Sequence, residues 1–241
     1  MSIVGIVGAL GAESTVDYYR RIFEVWQRTE PATAPSIVID LVDVRELLRL
    51  VATDHSALAE YLLGSLRRLG GAGVDFAAMT ANTTHIVFDE LAARSPVPLL
   101  SIVEACADEA QRRGLRRLAL LGTRFTMEAA FFPEVCARRG IAIVVPDPAD
   151  RDWIHDRYVN QLLNSVFRDD TRQEFHAFVR RLRDERGIDG VILGGTELPL
   201  LLRAPMIEGV TVLDTTGIHV EAIVDRMMSR REHGSAPNAS R

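Results

Sequence analysis

The chain contains no lysine. All 28 residues that count as lysine or arginine are arginine, in a sequence of 241 residues. This absence excludes a Schiff-base lysine, and with it the pyridoxal phosphate chemistry that depends on one. A P-loop lysine is excluded as well. A GC-rich genome encodes arginine preferentially, so function need not explain the bias.

Cysteine is scarce. The two cysteines, Cys106 and Cys136, give neither a disulfide framework nor a metal-binding spacing, so we expect no metal site. Such sparse use of cysteine is typical of a reducing cytoplasm. Both residues fall in predicted helices, which favours buried structural thiols.

Long uncharged apolar runs are also missing. None approaches the roughly 18 residues that a membrane helix needs. The first ten residues are apolar but lack a basic leading region, so they indicate a first strand and not a secretory signal. A net charge of −5 argues against a nucleic-acid surface, which requires clustered positive charge. We therefore expect a soluble cytoplasmic protein with no membrane or nucleic-acid partner.

What the chain does contain is a series of short runs rich in Val, Ile and Leu, mostly separated by helix-length segments. This alternation is typical of parallel sheets covered on both faces and predicts an α/β fold. The predicted strands are 3–7, 36–41, 74–79, 97–102, 118–121, 141–145, 191–193 and 210–213. The predicted helices are 14–28, 56–69, 126–138, 153–166, 171–185 and 217–228, with Ser14 and Thr126 as N-caps. The tail from Ser229 is predicted to be disordered.

A weak internal repeat is the most informative pattern. The segment MTANTTH at 79–85 recurs in altered form as LGGTELP at 193–199, and each segment follows a predicted strand. Ala81 and Gly195 are 114 positions apart, as are Gly8 and Gly122. Open α/β sheets bind their ligands at the carboxyl ends of strands. The repeat therefore predicts two similar α/β halves whose loops face one another across a cleft.

Several stretches resemble one enzyme family in the right order. They are GIVG at 5–8, EST at 13–15, YYR at 18–20, NTTH at 82–85, LLGTRFTME at 120–128, ILGGTELPLL at 192–201, and DTT at 214–216 with His219. Together they resemble the aspartate/glutamate racemase superfamily of cofactor-independent enzymes, over nearly the whole chain.

The resemblance implies two similar α/β lobes with parallel-type sheets, related by a pseudo-twofold axis, with the active site between them. The first lobe would hold residues 1–97 and 214–241, and the second residues 98–213. It also implies that the enzyme needs no cofactor and forms a homodimer.

The chain departs from the family pattern at two positions. In the family, one cysteine precedes the Asn-Thr pair and another precedes the Thr-Glu pair, and the two work on opposite faces of the substrate. Here these positions hold Ala81 and Gly195. Racemisation needs a base on one face and an acid on the other, and neither side chain transfers a proton. The two-thiol mechanism cannot operate, and loss of both side chains would enlarge the pocket for a bulkier acid.

Strand-end loops supply backbone N–H groups and a helix dipole, which together hold carboxylates well. The residues that the resemblance implies as substrate contacts are Asn82, Thr83, Thr84 and Thr196, with Thr123 and Thr126 as weaker candidates. Ordinary helix capping is the alternative role for these residue types. We expect a dicarboxylate or amino-dicarboxylate between the two halves.

His85 and Glu197 are the titratable groups nearest to the missing thiols. Either is a candidate catalytic base if its surroundings move its pKa toward neutrality. The alternatives are a buried histidine bonded to backbone and a glutamate stabilised by a helix dipole. Asp214 and His219 resemble supporting residues of the family, and Ser14 lies at the cleft rim or caps the first helix. His155 has no motif context and is expected at the surface.

Three functional hypotheses follow. The first is an enzyme that binds a small carboxylate or amino-acid-like substrate and performs cofactor-independent, non-thiol chemistry near the α-carbon, of isomerase, lyase or cyclase type. The second is a non-catalytic carboxylate-binding protein. The third is an ordinary racemase whose two cysteines were replaced by engineering.

Overall fold

The first sheet of the computed structural model has four parallel strands in the order β2-β1-β3-β4. The model describes residues 1–8 and 12–229. The strands are β1 (Val4–Gly8), β2 (Ile37–Leu41), β3 (Phe76–Met79) and β4 (Leu99–Leu100). Helices cover both faces, as is typical of parallel sheets. They are α1 (Ala12–Thr29), α2 (Val44–Thr53), α3 (His55–Gly71), and α4 (Phe88–Arg94), which follows a 3-10 turn at Thr83–Val87.

The second sheet has the order β6-β5-β7-β9-β8, in which only the β8–β9 pairing is antiparallel. Its strands are β5 (Arg117–Gly122), β6 (Ala142–Val144), β7 (Gly190–Gly194), β8 (Met206–Ile207) and β9 (Val210–Asp214). The helices are α5 (Ile102–Arg112), α6 (Arg124–Glu128), α7 (Phe131–Ala137), α8 (Pro148–Asn160), α9 (Asp169–Arg186), α10 (Leu198–Leu201) and α11 (Thr215–Ser229), with a 3-10 turn at Leu162–Asn164.

The two sheets repeat one arrangement. If β5, β6, β7 and β9 are matched to β1, β2, β3 and β4, the strand orders are the same. The α/β fold with two parallel-type sheets is thus confirmed, and each predicted strand is present. The loops that the sequence repeats follow β3 and β7, the equivalent inner strands of the two sheets.

Four apolar clusters form the core, one on each face of each sheet. In the first sheet, β1 and β3 pack on α2 and α3 through one cluster and on α1 and α11 through another. In the second sheet, α8 and α9 cover one face and α5 and α7 the other. Helix α11 contacts both α1 and α5. The lobe boundaries predicted above stay a prediction. Strand β4 falls just after the predicted boundary at residues 97 and 98, and it pairs with β3 of the first sheet.

Several predicted helix boundaries are wrong. The predicted helix at 126–138 is two helices, α6 and α7, because Pro133 has no N–H and is tolerated only in a first turn, which it occupies in α7. Thr123, and not Thr126, caps α6: its hydroxyl accepts the Thr126 N–H at 3.3 Å. Ser14 is the third residue of α1 and not its N-cap.

The predicted helix at 153–166 begins at Pro148, which suits a first helical position, and ends at Asn160. Ser229, placed in the disordered tail by the sequence, ends α11, and the remainder of that tail lies outside the described residues. Among the residues that the structure describes, no helix is long and apolar enough to cross a membrane.

Candidate active site

A cavity of about 310 Å³ lies where the two repeated loops meet, at the carboxyl ends of β3 and β7. Ala81 of the first loop and Gly195 of the second both line it. The structure therefore brings together the two positions at which the family pattern has cysteine. The remaining lining residues are Leu48, Ala52, Asn82, Thr83, Thr123, Phe125, His155, Tyr158, Val159, Leu163, Gly194 and Thr196.

Asn82 lines this cavity, and its side chain is anchored on the second half of the chain. Its Nδ2 donates to Thr215 Oγ1 at 3.2 Å, and the Thr215 hydroxyl donates to the Leu193 carbonyl at 2.7 Å. Because the Thr215 proton is committed to Leu193, Thr215 Oγ1 can only accept from Asn82, which fixes the orientation of the amide. The Asn82 Oδ1 atom is buried and has no partner within the described part of the chain. A ligand with an N–H or O–H donor would satisfy it.

Three threonine hydroxyls form a chain between the two halves. Thr83 Oγ1 lies 3.3 Å from Thr126 Oγ1, which lies 3.2 Å from Thr123 Oγ1. Thr83 and Thr123 line the cavity, whereas Thr126 is buried behind them. Thr84 is also behind the lining, where its hydroxyl donates to the Ala81 carbonyl at 2.7 Å. Four of the six predicted contact residues, Asn82, Thr83, Thr123 and Thr196, therefore face one cavity.

Tyr158 of α8 fills the space beside Gly195. A Cβ built on Gly195 would lie 2.5 Å from the Tyr158 hydroxyl oxygen and 2.5 Å from Cε2 of its ring. No side chain fits there unless Tyr158 moves. The expectation that glycine at this position enlarges the pocket is therefore wrong, because the aromatic ring takes up the space.

Glu197 lies next to this tyrosine. The Tyr158 hydroxyl donates to Glu197 Oε2, which also accepts the Thr196 hydroxyl at 2.9 Å. Burial raises the pKa of the Glu197 carboxyl, and the two hydroxyl donors hold it lower than burial alone would. Burial and the neighbouring carboxylate raise the pKa of the Tyr158 phenol. The pair is a buried carboxylate hydrogen-bonded to a phenol that lines the cavity.

His85 lies outside this cavity. Its ring stacks on Phe88 at 4.9 Å, Nδ1 lies 3.2 Å from the Ala81 carbonyl, and it lines a separate cavity of about 330 Å³ with Phe131. Burial lowers the pKa of His85 to about 4. His85 thus makes the backbone hydrogen bond expected of a buried structural histidine. It does not line the cavity that Ala81 lines.

The predicted supporting residues also lie away from the lining. Asp214 forms an ion pair with Arg21 at 2.7 Å and accepts the Gly217 N–H at 3.1 Å at the start of α11. His219 is fully buried between the Tyr18 hydroxyl at 3.0 Å and the Leu100 carbonyl at 3.2 Å, and burial lowers its pKa to about 3. Ser14 is buried within α1.

Neither cysteine substitutes for the missing thiols. Cys106 and Cys136 are fully buried in the cluster formed with α5 and α7, which confirms the expectation of buried structural thiols. Burial raises the pKa of Cys136 to about 11 and that of Cys106 well above its usual range. Among the described residues, no group of histidine, cysteine and carboxylate side chains could hold a metal ion.

Sequence reasoning missed the contributions of α2 and α8. Leu48 and Ala52 come from α2, whose cap Asp43 accepts the N–H groups of Arg45 and Glu46. An aspartate followed three residues later by glutamate is a helix-start signal that could have revealed α2. His155 was expected at the surface, but it is half-buried and lines the cavity. No sequence motif marked Tyr158.

Known proteins share this architecture and sequence pattern. The model of the Asp/Glu/hydantoin racemase family matches residues 7–223. The chain is similar to the broad specificity amino-acid racemase RacX of Bacillus subtilis (strain 168), at 24% identity over 210 residues that cover 83% of this chain and 87% of that protein.

Solved structures are similar over almost the full length. A candidate Asp/Glu racemase from Yersinia pestis has a TM-score of 0.86 and 31% identity, with 95% of this chain and 100% of that one covered. PH1733, an aspartate racemase homologue from Pyrococcus horikoshii OT3, has a TM-score of 0.83 and 29% identity, with 94% and 99% covered. The resemblance seen in the sequence is thereby confirmed, and the chain belongs to the Asp/Glu/hydantoin racemase family.

Proposed function

We propose that this racemase-like protein binds a small amino acid with an uncharged side chain in the cavity between the repeated loops, and performs cofactor-independent proton-transfer chemistry at its α-carbon without a thiol. One observation supports the proposal above all: Ala81 and Gly195 line a single cavity together with Asn82 and three threonines. This arrangement supports a ligand site that persists in the absence of the thiols.

The lining favours one carboxylate and an apolar side chain over the dicarboxylate expected from the sequence. Within the described residues, the cavity has no arginine, aspartate or glutamate in its lining. His155 also lines the cavity, but burial and the neighbouring Arg124 lower its pKa, which disfavours its cationic form. A second carboxylate would therefore be buried without a strong cationic partner, which costs several kcal/mol. Leu48, Phe125, Val159 and Leu163 supply apolar surface instead, and Phe125 and Val159 remain 36% and 37% exposed. Exposed apolar side chains around a cavity are typical of ligand sites.

Asn82 supports an amino acid over a simple carboxylic acid. Its buried Oδ1 lacks a donor within the described chain, and an ammonium group would supply one. The Thr196 proton goes to Glu197, whereas the Thr83–Thr126–Thr123 chain has three hydroxyl protons and two internal hydrogen bonds, which leaves one proton for the carboxylate. The related Bacillus subtilis protein is named as an amino-acid racemase of broad specificity, which is consistent with a substrate that is not limited to acidic side chains.

The packing of Tyr158 bears on the engineering hypothesis. A cysteine at position 195 does not fit beside the Tyr158 ring, so restoring cysteine there would not recreate a working racemase. This argues against simple replacement of a catalytic thiol. A non-catalytic binding protein remains the second hypothesis, and the exchange experiment below distinguishes it from an enzyme. The homodimer implied by the resemblance stays a prediction.

The binding test is calorimetry with L-leucine, L-phenylglycine and L-aspartate. We expect the two apolar amino acids to bind more tightly than aspartate. Asn82→Ala should weaken that binding about 10-fold or more, since a hydrogen bond to a charged group contributes about 1.5–3 kcal/mol. Thr196→Ala should also weaken it. The matched control is Asn160→Ala, which removes an exposed asparagine at the end of α8. Equal affinity in Asn82→Ala and the parent, or a preference for aspartate, would refute the proposal.

A further inference from the structure

The Tyr158 hydroxyl stands where a side chain at position 195 would begin. Its oxygen is 2.5 Å from the ideal Cβ of Gly195, in the space that the second cysteine of the family pattern would need. Tyr158 also lines the cavity beside Thr196. A phenolic O–H therefore takes the place of a thiol on the side of the cavity formed by the second sheet.

The Tyr158 phenol is joined to a proton acceptor. Glu197 is only 5% exposed, and its Oε2 accepts hydrogen bonds from both Tyr158 and Thr196. Burying a carboxylate costs free energy that a neutral residue at this position would avoid. Buried titratable groups at a cavity, with perturbed pKa values and a specific partner, are typical of functional sites.

On the first-loop side of the cavity, the described residues supply no equivalent. Ala81 carries no titratable group, and His85 turns to a different cavity. Cys106 and Cys136 lie buried in the core around α5 and α7. Of the described side chains at the first loop, those that line the cavity are Ala81, Asn82 and Thr83, none of which is an effective acid or base near neutral pH.

We propose that Tyr158 and Glu197 act as one proton-transfer unit, and that the protein exchanges the α-proton of a bound amino acid on a single face, with retention of configuration. This inference rests on the proposed function, since it needs the amino acid to occupy the cavity. Tyr158 is the catalytic residue that touches the substrate, and Glu197 is the ultimate proton acceptor.

The step balances in protons and electrons. The Cα–H bond breaks, and its proton moves to the Tyr158 oxygen while the phenolic proton moves to Glu197. The electron pair of the broken bond remains on the substrate as an ene-diolate of its carboxylate, stabilised by the free proton of the Thr83–Thr126–Thr123 hydroxyl chain. Glu197 exchanges its proton with solvent, and the reverse step returns a proton through Tyr158 to the same face. No oxidant or cofactor enters the step.

The test uses D- and L-phenylglycine in deuterium oxide, because the phenyl group acidifies the α-proton and fits an apolar cavity. Proton NMR follows deuterium incorporation and chiral chromatography follows inversion. We expect one enantiomer to exchange without inversion, because a fixed carboxylate and ammonium point only one enantiomer's α-proton at Tyr158. Exchange of both enantiomers at similar rates, or inversion of either, would overturn the inference.

Matched variants separate chemistry from structure. Tyr158→Phe and Glu197→Gln should each lower the exchange rate about 100-fold or more, while the calorimetric affinity changes less than about threefold. Tyr61→Phe is the control, because it removes a phenol hydroxyl that accepts the Asp43 N–H at 2.8 Å and lies outside the described lining of the cavity.

If both phenylglycine enantiomers and leucine fail to bind, the proposed function fails as well. If they bind and are inverted, the proposed function stands and only the one-faced inference fails. If they bind without exchange, the inference and the catalytic part of the proposed function both fail, and the binding-protein hypothesis is favoured.

A second readout needs no substrate. In protein labelled with ¹³C at glutamate carboxyls, the Glu197 signal, assigned by its loss in Glu197→Gln, should titrate above the ordinary glutamate pKa. Tyr158→Phe should raise that pKa further, because the phenol stabilises the ionised carboxylate. An unchanged Glu197 titration in Tyr158→Phe would show that the two groups are not coupled and would contradict the inference.

Discussion

At the scale of single residues, Gly195 and Tyr158 constrain each other. A Cβ at position 195 would meet the tyrosine ring at 2.5–2.8 Å, so Gly195→Cys should destabilise the fold by about 1–3 kcal/mol, as overpacking does. In a Tyr158→Leu background, which has its own cost because Glu197 loses a donor, Gly195→Cys should destabilise much less because the space is vacant. Urea denaturation measures both changes, with Ala81→Cys as the control because alanine already carries a Cβ. If Gly195→Cys has the same free energy of unfolding as the parent protein, the Tyr158 ring can move aside without cost and this prediction is wrong.

This constraint also governs any attempt to restore two-thiol chemistry. The pair Ala81→Cys and Gly195→Cys should remain inactive while Tyr158 occupies the second position. Only the triple variant with Tyr158→Leu has room for two sulfur atoms at the cavity, and it alone should begin to invert amino acids. Chiral chromatography of phenylglycine and aspartate is the assay. Inversion by the double variant would contradict this reading of the packing.

Part of the site follows from sequence because strand-end loops are local features. The repeat predicted that Ala81, Asn82, Thr83, Gly195 and Thr196 would meet, and they share one cavity. The position of Tyr158 depends on how α8 packs over β7, which no local pattern encodes. His85 shows the limit of such reasoning, because it belongs to the same repeated segment but its ring lines a separate cavity.

At the scale of secondary-structure elements, α2 and α8 bound the cavity on its apolar side. Leu48 of α2 and Val159 of α8 both line it. Leu48→Ala should raise the preference for L-phenylalanine over L-alanine about tenfold, since each methylene in a pocket contributes about 1–3 kcal/mol to selectivity. Calorimetric affinities give the ratio. The control is Leu41→Ala, which truncates a leucine that is 68% exposed at the end of β2. A ratio that stays constant in Leu48→Ala would place the substrate side chain elsewhere.

Strands were easier to predict than helices for a physical reason. Each buried strand is a continuous apolar run, whereas helices α6 and α7 depend on where Pro133 can be placed and α2 depends on its Asp43 cap. Strand β8 escaped prediction because two residues, Met206–Ile207, are too few to form a pattern.

At the scale of the whole molecule, two buried neutral histidines should make the fold sensitive to acid. Burial lowers the pKa of His85 to about 4 and that of His219 to about 3, from an ordinary 6.5. At pH values between these lowered pKa values and 6.5, the two histidines are protonated in the unfolded chain but not in the folded chain. Their contribution to stability is complete above about pH 6.5 and is lost as the pH falls toward 4 and 3, by about 1.4 kcal/mol per pH unit per histidine. The raised pKa of Glu197 acts in the opposite sense and partly offsets the loss.

Urea denaturation at pH 7.5, 6 and 5 measures this dependence. The free energy of unfolding should fall with pH, and His85→Asn should reduce the slope between pH 6 and 5 by about one proton, whatever its effect on absolute stability. His219→Asn should do the same. A slope that is unchanged in both variants would show that these histidines are not the acid-sensitive groups.

The overall topology was the most predictable property. Two sheets of the same strand order follow from a repeat spacing of 114 positions, because similar segments at equal intervals form similar units. How the two units approach each other is set by contacts distant in sequence. One such contact is the Asn82–Thr215 hydrogen bond, which joins residues 133 positions apart and could not be predicted from spacing.

Because Cys106 and Cys136 are completely buried, the native protein should react very little with thiol-labelling reagents. Both thiols are inaccessible and stay protonated near neutral pH, so a maleimide dye or spin label finds little to react with. Val159→Cys would then introduce one accessible thiol at the cavity, because Val159 lines the cavity and is 37% exposed. An added amino acid that occupies the site should slow the labelling of that thiol by the dye. The labelling rate would therefore report binding directly, even for ligands that undergo no reaction.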